Sequence, residues 1–488
     1  MSLYKNNRNL IILFRLVVMF GSLGTVWQIG LAETIQVNYD PTSPTKGIQE
    51  AIDSLAGRGG NVLIPAGRYI LRCPIFISEN HSNLTISGEG VATVLETEVD
   101  EYRLKLSLDA RKGNKHIWVV DSSPVRVGDG LYIYEAGNDF GTGTVARVVS
   151  INGRCLVLNV PLLDSYLTRE QAVARHIFNV IVANNVSQLT IRNLKAMGSL
   201  KKGSTISSWV GNYVFFLEGA DISLYEVTVE DSPADGIYVG THGSLRLTDC
   251  RIRNIAQRGI HLAGHRGKGR IRGLVQGNII SYAGDYGLYL CDNCRGLVIK
   301  GNIISDIGLY ETGSGITRTS ESPPVDVVGT GILKKIFPAY SRPAGIGGVG
   351  AGGDADNIIS ENIIYRVKGS GLAFQRWVGE NRPGRNMNVT ANLIFDIFGP
   401  GIFLNGASGV LISGNQVANC QTGLVIKNSA YCHIEGNLIR NTKFGIHLYS
   451  LLPEFWTEKS VIANNTLIDC ENGIAQSSFC RDNILQGN

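Results

Sequence analysis

Between residues 231 and 289 the sequence gathers side chains that move protons and hold anions. Asp235, His261, Arg266, Tyr289 and Asp285 are the candidate catalytic groups, and Tyr238, His242, Arg258, His265 and Lys268 the candidates for holding a substrate. Histidine, carboxylate and tyrosine are the usual partners in general acid–base catalysis, while Arg and Lys neutralise a substrate anion. Arg376 and Trp377, in FQRWVGENRPGRN (374–386), join the second group, because a guanidinium suits a carboxylate and an indole suits a sugar face. Asp231, Asp235 and Asp285 offer the hard oxygen ligands that a Ca2+ ion takes.

Residues scattered over this many positions act together only if the chain returns to the same place, and the sequence shows that it does. From residue 234 a phrase recurs: DGIYV (235–239), RGIHL (258–262), YGLYL (286–290), SGIT (314–317), AGIG (344–347), SGLAF (370–374), PGIFL (400–404), TGLVI (422–426), FGIHL (444–448) and NGIA (472–475). A second phrase follows in step, as GNII (277–280 and 301–304), ENII (361–364), ANLI (391–394), GNQV (414–417) and GNLI (436–439). Repetition at this scale marks a solenoid. Apolar and polar residues alternate within each unit, β-branched residues are enriched, and Gly, Asn and Asp punctuate, so each turn is two or three short strands. The fold class is all-β, a parallel β-helix in which the recurrent asparagines stack along the turns. Aligned on the glycine, the residue two places on faces outward, giving a column Tyr238, His261, Tyr289, Thr317, Gly347, Ala373. The residue before the glycine gives Asp235, Arg258 and Tyr286 on the same three turns.

Upstream, GIQEAIDSLAGRGGNVLIPAGRYIL (47–71) reads as a short amphipathic helix, a Gly-Gly break and a strand, and NLTISGEGVATVL (83–95) as a first turn. This order resembles the N-terminal cap of the pectate-lyase-like superfamily of right-handed parallel β-helix proteins. The resemblance implies a right-handed solenoid capped by that helix, a fold that hosts lyases, hydrolases, epimerases and inert surface proteins alike. Residues 124–163 read as a small β insertion of a kind found in that superfamily. The active-site motifs of its familiar enzymes are not matched: RIR occurs at 251–253 and 270–272, but no Gly-His-Gly or Asp-Asp accompanies it, and Tyr286-Gly287-Leu288 does not continue as an epimerase signature.

The chain is 488 residues with 59 glycines, 18% charged residues and a formal net charge of +4, which excludes a disordered chain and wholesale polyanion binding. Charge is local instead. Residues 251–300 hold nine Arg or Lys against Asp285 and Asp292, whereas 221–249 holds six acids against Arg246. Such a neighbourhood suits an anionic polysaccharide and β-elimination from a uronate, where a cation or Arg lowers the pKa of the carbon acid and a base removes its proton. Hydrolysis or epimerisation by paired carboxylates, Asp231 with Asp235 or Asp235 with Asp285, is the alternative. A non-catalytic carbohydrate-binding or surface β-helix is the third. No nucleic-acid-binding motif accompanies the basic run. Residues 1–32, with Lys5 and Arg8 before an apolar run and Gly30-Leu31-Ala32 at its end, read as a signal peptide, so the mature chain is expected to be secreted, periplasmic or on the cell surface, with no membrane span. Residues 33–175 are then the cap, first turns and insertion, and 176–488 the β-helix with loop insertions near 308–355 and 374–390. The lone CxxC, Cys291 to Cys294, reads as buried turn cysteines.

Overall fold

The computed structural model describes residues 32–97, 102–135, 143–177, 179–198, 213–264, 270–291, 294–308, 347–352, 356–375, 385–450 and 456–488. The expected signal peptide, His265, Arg266, Lys268, Arg376, Trp377 and the repeat SGIT at 314–317 lie outside them, as do most of the loop insertions.

Parallel strands stacked turn upon turn make up one continuous sheet system. A representative turn consists of the strands Arg258–Gly264, Ile271–Gln276 and Ile279–Ala283. The next turn repeats them as Tyr286–Cys291, Cys294–Lys300 and Ile303–Ile307, each in register with its predecessor. Inward positions supply the core: Ile260 lies over Leu288 and Leu262 over Leu290, all fully buried. At the N-terminal end the helix Ile48–Asp53 adds Ile48 and Ile52 to this core. Gln49 ties the helix down, donating to the Phe76 carbonyl and accepting from its amide.

Both recurrent phrases have a steric cause. A Cβ on Gly259 would sit 2.6 Å from the Gly287 carbonyl oxygen and 2.5 Å from Ile280 of the third strand, so only hydrogen fits where successive turns close up. In the second phrase, the residue before the asparagine takes a left-handed conformation, as in Gly277 (φ 67°) and Gly301 (φ 63°). Each asparagine then accepts from the turn before it. Asn302 Oδ1 takes the Asn278 amide at 3.0 Å and Asn278 Nδ2 at 2.9 Å, and the ladder continues through Asn362, Asn392, Asn415, Asn437, Asn465 and Asn488. Buried amide groups on the inside of each turn are thereby satisfied.

The insertion is larger than residues 124–163. Six antiparallel strands run from Arg103–Lys105 to Ala172–His176, and a bridge between Leu106 and Val119 closes the sheet on itself. This small barrel has its own core, built around Leu131, Ile133, Ala146, Val148 and Leu156.

Candidate active site

Register brings the outward residues together. Phe216, Tyr238, His261 and Tyr289 are successive partners on neighbouring turns. The column then continues through Gly350 and Ala373, so the turn after Tyr289 is aligned on Gly347–Gly352 rather than on Gly345. Tyr238 stacks on Phe216 at 5.0 Å between ring centroids and meets His261 edge-on at 5.0 Å, while His261 meets Tyr289 at 5.3 Å. Tyr213, fully buried, stacks on Tyr238, and Tyr286 packs against Tyr289.

Beneath this aromatic row lies a buried charged group. Asp235 is 0% exposed and precedes its strand by two residues. Its Oδ1 accepts the Arg258 backbone amide at 3.0 Å, its Oδ2 lies 2.8 Å from His261 Nδ1, and Arg258 Nη1 stands 3.5 Å from the same Oδ2. The Arg258 guanidinium also covers the Tyr289 ring at 4.6 Å from its centroid. Burial opposes ionisation of Asp235, but the Arg258 charge and the His261 hydrogen bond outweigh it and hold the carboxyl below its ordinary value. Burial likewise works against the Arg258 charge, and the Asp235 carboxylate overcomes it, leaving Arg258 firmly cationic.

His261 Nδ1 has two neighbours, Asp235 Oδ2 at 2.8 Å and Arg258 Nη1 at 3.2 Å, and can serve only one as a donor. A carboxylate only accepts and a guanidinium only donates, so we place the Nδ1 proton towards Asp235, the shorter contact. His261 Nε2 is then the basic nitrogen, and it lies 3.2 Å from Cys291 Sγ. Carboxylate, imidazole and thiol thus form one line, Asp235–His261–Cys291, the arrangement by which an imidazole activates a nucleophile or base.

Several expectations need correction. The three carboxylates do not make a cation site: among the described residues no group of three His, Cys, Asp or Glu side chains is placed to hold a metal ion. Asp231 has a left-handed backbone (φ 58°) at the bend between strands, and its Oδ1 accepts from Asn254 Nδ2 at 3.0 Å, far from the role of partner to Asp235. Asp285 remains near enough to act on the Arg258 charge but makes none of the contacts to His261 described above. Asp235 and Arg258 are engaged with each other and with His261, so they position the site; His261 and Tyr289 are themselves buried, at 5% and 8% exposed. His242 is exposed, beyond the end of its strand, and its charge acts on Asp221. Part of the basic stretch is also matched across turns, since Arg253 Nε and Lys195 Nζ each lie 2.9 Å from the Glu230 carboxylate.

Cys291 and Tyr213 are the residues that sequence reasoning missed. Cys291 follows Tyr289 by two in one strand and therefore shares its outward face, a signal that alternation alone carries. Cys294 points the other way, into the main core, donating to the Leu262 and Cys291 carbonyls.

A family model for the right-handed β-helix region matches residues 179–329 and 342–488. Among solved structures, the catalytic unit of a thermostable α-1,3-glucanase from Streptomyces thermodiastaticus is similar over 94% of this chain and 69% of that one, at 13% identity and a TM-score of 0.57. The A-module of mannuronan C-5 epimerase AlgE4 from Azotobacter vinelandii is similar over 92% of this chain and 97% of that one, at 12% identity and a TM-score of 0.54. No curated protein matches the sequence. At such identities the likeness concerns the fold, and with the family match it establishes that this chain belongs to the right-handed β-helix family.

Proposed function

We propose that the chain is an exported, polysaccharide-active enzyme that cleaves an acidic, uronate-containing polymer by β-elimination. The observation that carries the reading is His261, oriented by a buried carboxylate at 2.8 Å and set between two outward tyrosines on adjacent turns. Elimination needs a base for the proton on the carbon bearing the carboxylate, and an acid for the departing glycosidic oxygen. The centre built on the Asp235–His261 pair supplies the basicity for the first, and the phenol of Tyr238 or Tyr289 the second. A fold like that of a mannuronan C-5 epimerase supports the reading, because epimerisation at that carbon begins with the same proton removal. The apolar N-terminal run behind Lys5 and Arg8 supports export. Paired-carboxylate hydrolysis gains no support, with Asp235 engaged by His261 and Arg258 and Asp231 held at a bend.

Incubation with pectate, alginate and other uronate polymers tests this, following unsaturated-uronate absorbance and reducing ends together. Both signals rising, and both lost in His261→Asn, is the expected result. Reducing ends without absorbance would mean hydrolysis, and binding without either signal would mean a carbohydrate-binding protein.

A further inference from the structure

We propose that Cys291 is the reactive end of the site: Asp235 and His261 hold it as a thiolate, and the sulfur, rather than the imidazole, takes the proton from the substrate carbon. The identity of the carbon acid rests on the elimination reading; activation of the thiol does not.

Geometry makes the case. With its Nδ1 proton committed to Asp235, His261 places Nε2 3.2 Å from Cys291 Sγ. The imidazole therefore meets a proton donor from its own protein in the position that a substrate proton would have to occupy. Transfer of that proton yields a thiolate facing an imidazolium whose charge Asp235 balances. Among the described residues, the titratable and charged groups that the contacts place around the pair include Asp235, Arg258, Tyr238, Tyr286, Tyr289 and Asp285. Cys291 is buried, at 7% exposed, but its neighbours along the strand stack are small. Its column on the outward face reads Gly240, Ala263, Cys291, Gly352 over four successive turns, so the turns on either side carry at most a methyl group.

The other cysteines show what this environment changes. Cys73, Cys250 and Cys420 are buried among apolar groups, which pushes each thiol up to about 12, and Cys432 up to about 11. None has a histidine at its sulfur in the described contacts. Cys294 turns into the core, so the pair Cys291 and Cys294 is not a redox couple.

In the reaction, the thiolate lone pair takes the proton from the carbon bearing the carboxylate. The C–H electron pair becomes the new C=C bond, and the glycosidic C–O bond breaks. The departing oxygen takes a proton from the Tyr238 or Tyr289 phenol. Return of the proton from sulfur to phenolate, through water, restores both groups, so no oxidant or further reactant is consumed.

Iodoacetamide alkylation of the full chain, mapped by mass spectrometry, tests thiol activation without any substrate. An ordinary thiol, with a pKa of about 8.5, loses about thirtyfold in rate between pH 7.5 and pH 6. N-acetylcysteine, alkylated in parallel, serves as that reference. Cys291 is expected to lose less than about threefold over the same range, and His261→Asn to return it to the reference behaviour. Ordinary pH dependence of Cys291 in the wild type overturns the proposal, whatever the variants do. In turnover, Cys291→Ala is expected to lose about a hundredfold or more, and Cys291→Ser to stay far below wild type because a hydroxyl is a much weaker acid. Full cleavage by Cys291→Ala overturns the sulfur as base and leaves elimination standing. No cleavage of any uronate polymer by the wild type refutes elimination, and with it the sulfur's carbon-acid role, while the alkylation profile still decides activation.

Discussion

Replacing Asp235 by Asn removes one charge at an almost unchanged volume, and the structure says what that should do. Arg258, itself 6% exposed, loses the carboxylate that compensates its guanidinium. Breaking a buried pair by removing one partner costs about 3–5 kcal/mol, because the other charge stays buried without its counter-ion. The asparagine can still accept the Arg258 amide, so that hydrogen bond is retained. The new Nδ2 group, however, donates where the carboxylate accepted. It therefore drives His261 to the tautomer with Nε2 protonated, and the imidazole faces Cys291 as a donor. Asp235→Asn should thus lower stability by about 3–5 kcal/mol and abolish the unusual pH profile of Cys291 alkylation. Adding Arg258→Met removes the stranded charge, so the double variant should recover at least about 2 kcal/mol over Asp235→Asn alone. Urea unfolding of the wild type, both single variants and the double variant at pH 7 gives the cycle. A single-variant loss below about 1 kcal/mol, or a double variant as unstable as the sum of the singles, would refute the buried-pair reasoning.

Other outcomes follow from the same geometry. Because the folded pKa of Asp235 is depressed, its contribution to stability is complete above about pH 4, the ordinary carboxylate range, and is lost as pH falls through the folded value. Acid unfolding followed by circular dichroism should therefore be less steep in Asp235→Asn than in the wild type. Asn362→Ala removes the acceptor for the Asn302 amide and Nδ2, and the donor to the Ile299 carbonyl and Asn392 Oδ1, all buried. It should cost about 2–4 kcal/mol, read from the urea midpoint, and a neutral result would mean that water replaces the ladder. Gly259→Ala drives a methyl group against the Gly287 carbonyl and Ile280 and should cost about 1–3 kcal/mol, with faster amide exchange over Arg258–Gly264; unchanged exchange would contradict the close stacking.

How much of this was legible in advance depended on whether a residue's place is set by repetition or by depth. The glycine and asparagine phrases repeat because every turn meets the same steric and hydrogen-bonding demand, so the parallel β-helix could be read from spacing. The outward column Tyr238–His261–Tyr289 followed from strand alternation for the same reason. Alignment slipped after Tyr289, where a long insertion separates the turns and Gly345 mimics the true partner at Gly348. Spacing also says nothing about how far a side chain is turned beneath its neighbours. Asp231 and Asp235, four residues apart, looked like a carboxylate pair, but the left-handed backbone at Asp231 sends the chain round a corner between them. Cys291 was weighed as half of a CxxC motif, yet strand alternation gives its two sulfurs opposite faces.

The outward face explains why chemistry can collect on three turns of a uniform solenoid. Inward positions are constrained at every turn by the same core, whereas outward positions carry no common packing duty and vary from turn to turn. The position held by Arg258 is held by Tyr286 on the next turn and by Gly347 and Ser370 on those after. In the C-terminal turns Pro400, Thr422, Phe444 and Asn472 follow one another in register on the same strand series. The fold therefore closes without a buried charge at this place, and a well-packed neutral pair there is generally as stable as an ion pair or more so. Asp235 and Arg258 are thus not accounted for by the demands of the helix. What they do achieve is local: they fix one imidazole between two tyrosines and aim it at one sulfur. A charged pair that the scaffold does not need, spent on orienting one imidazole, is the physical ground for placing the proposed activity here.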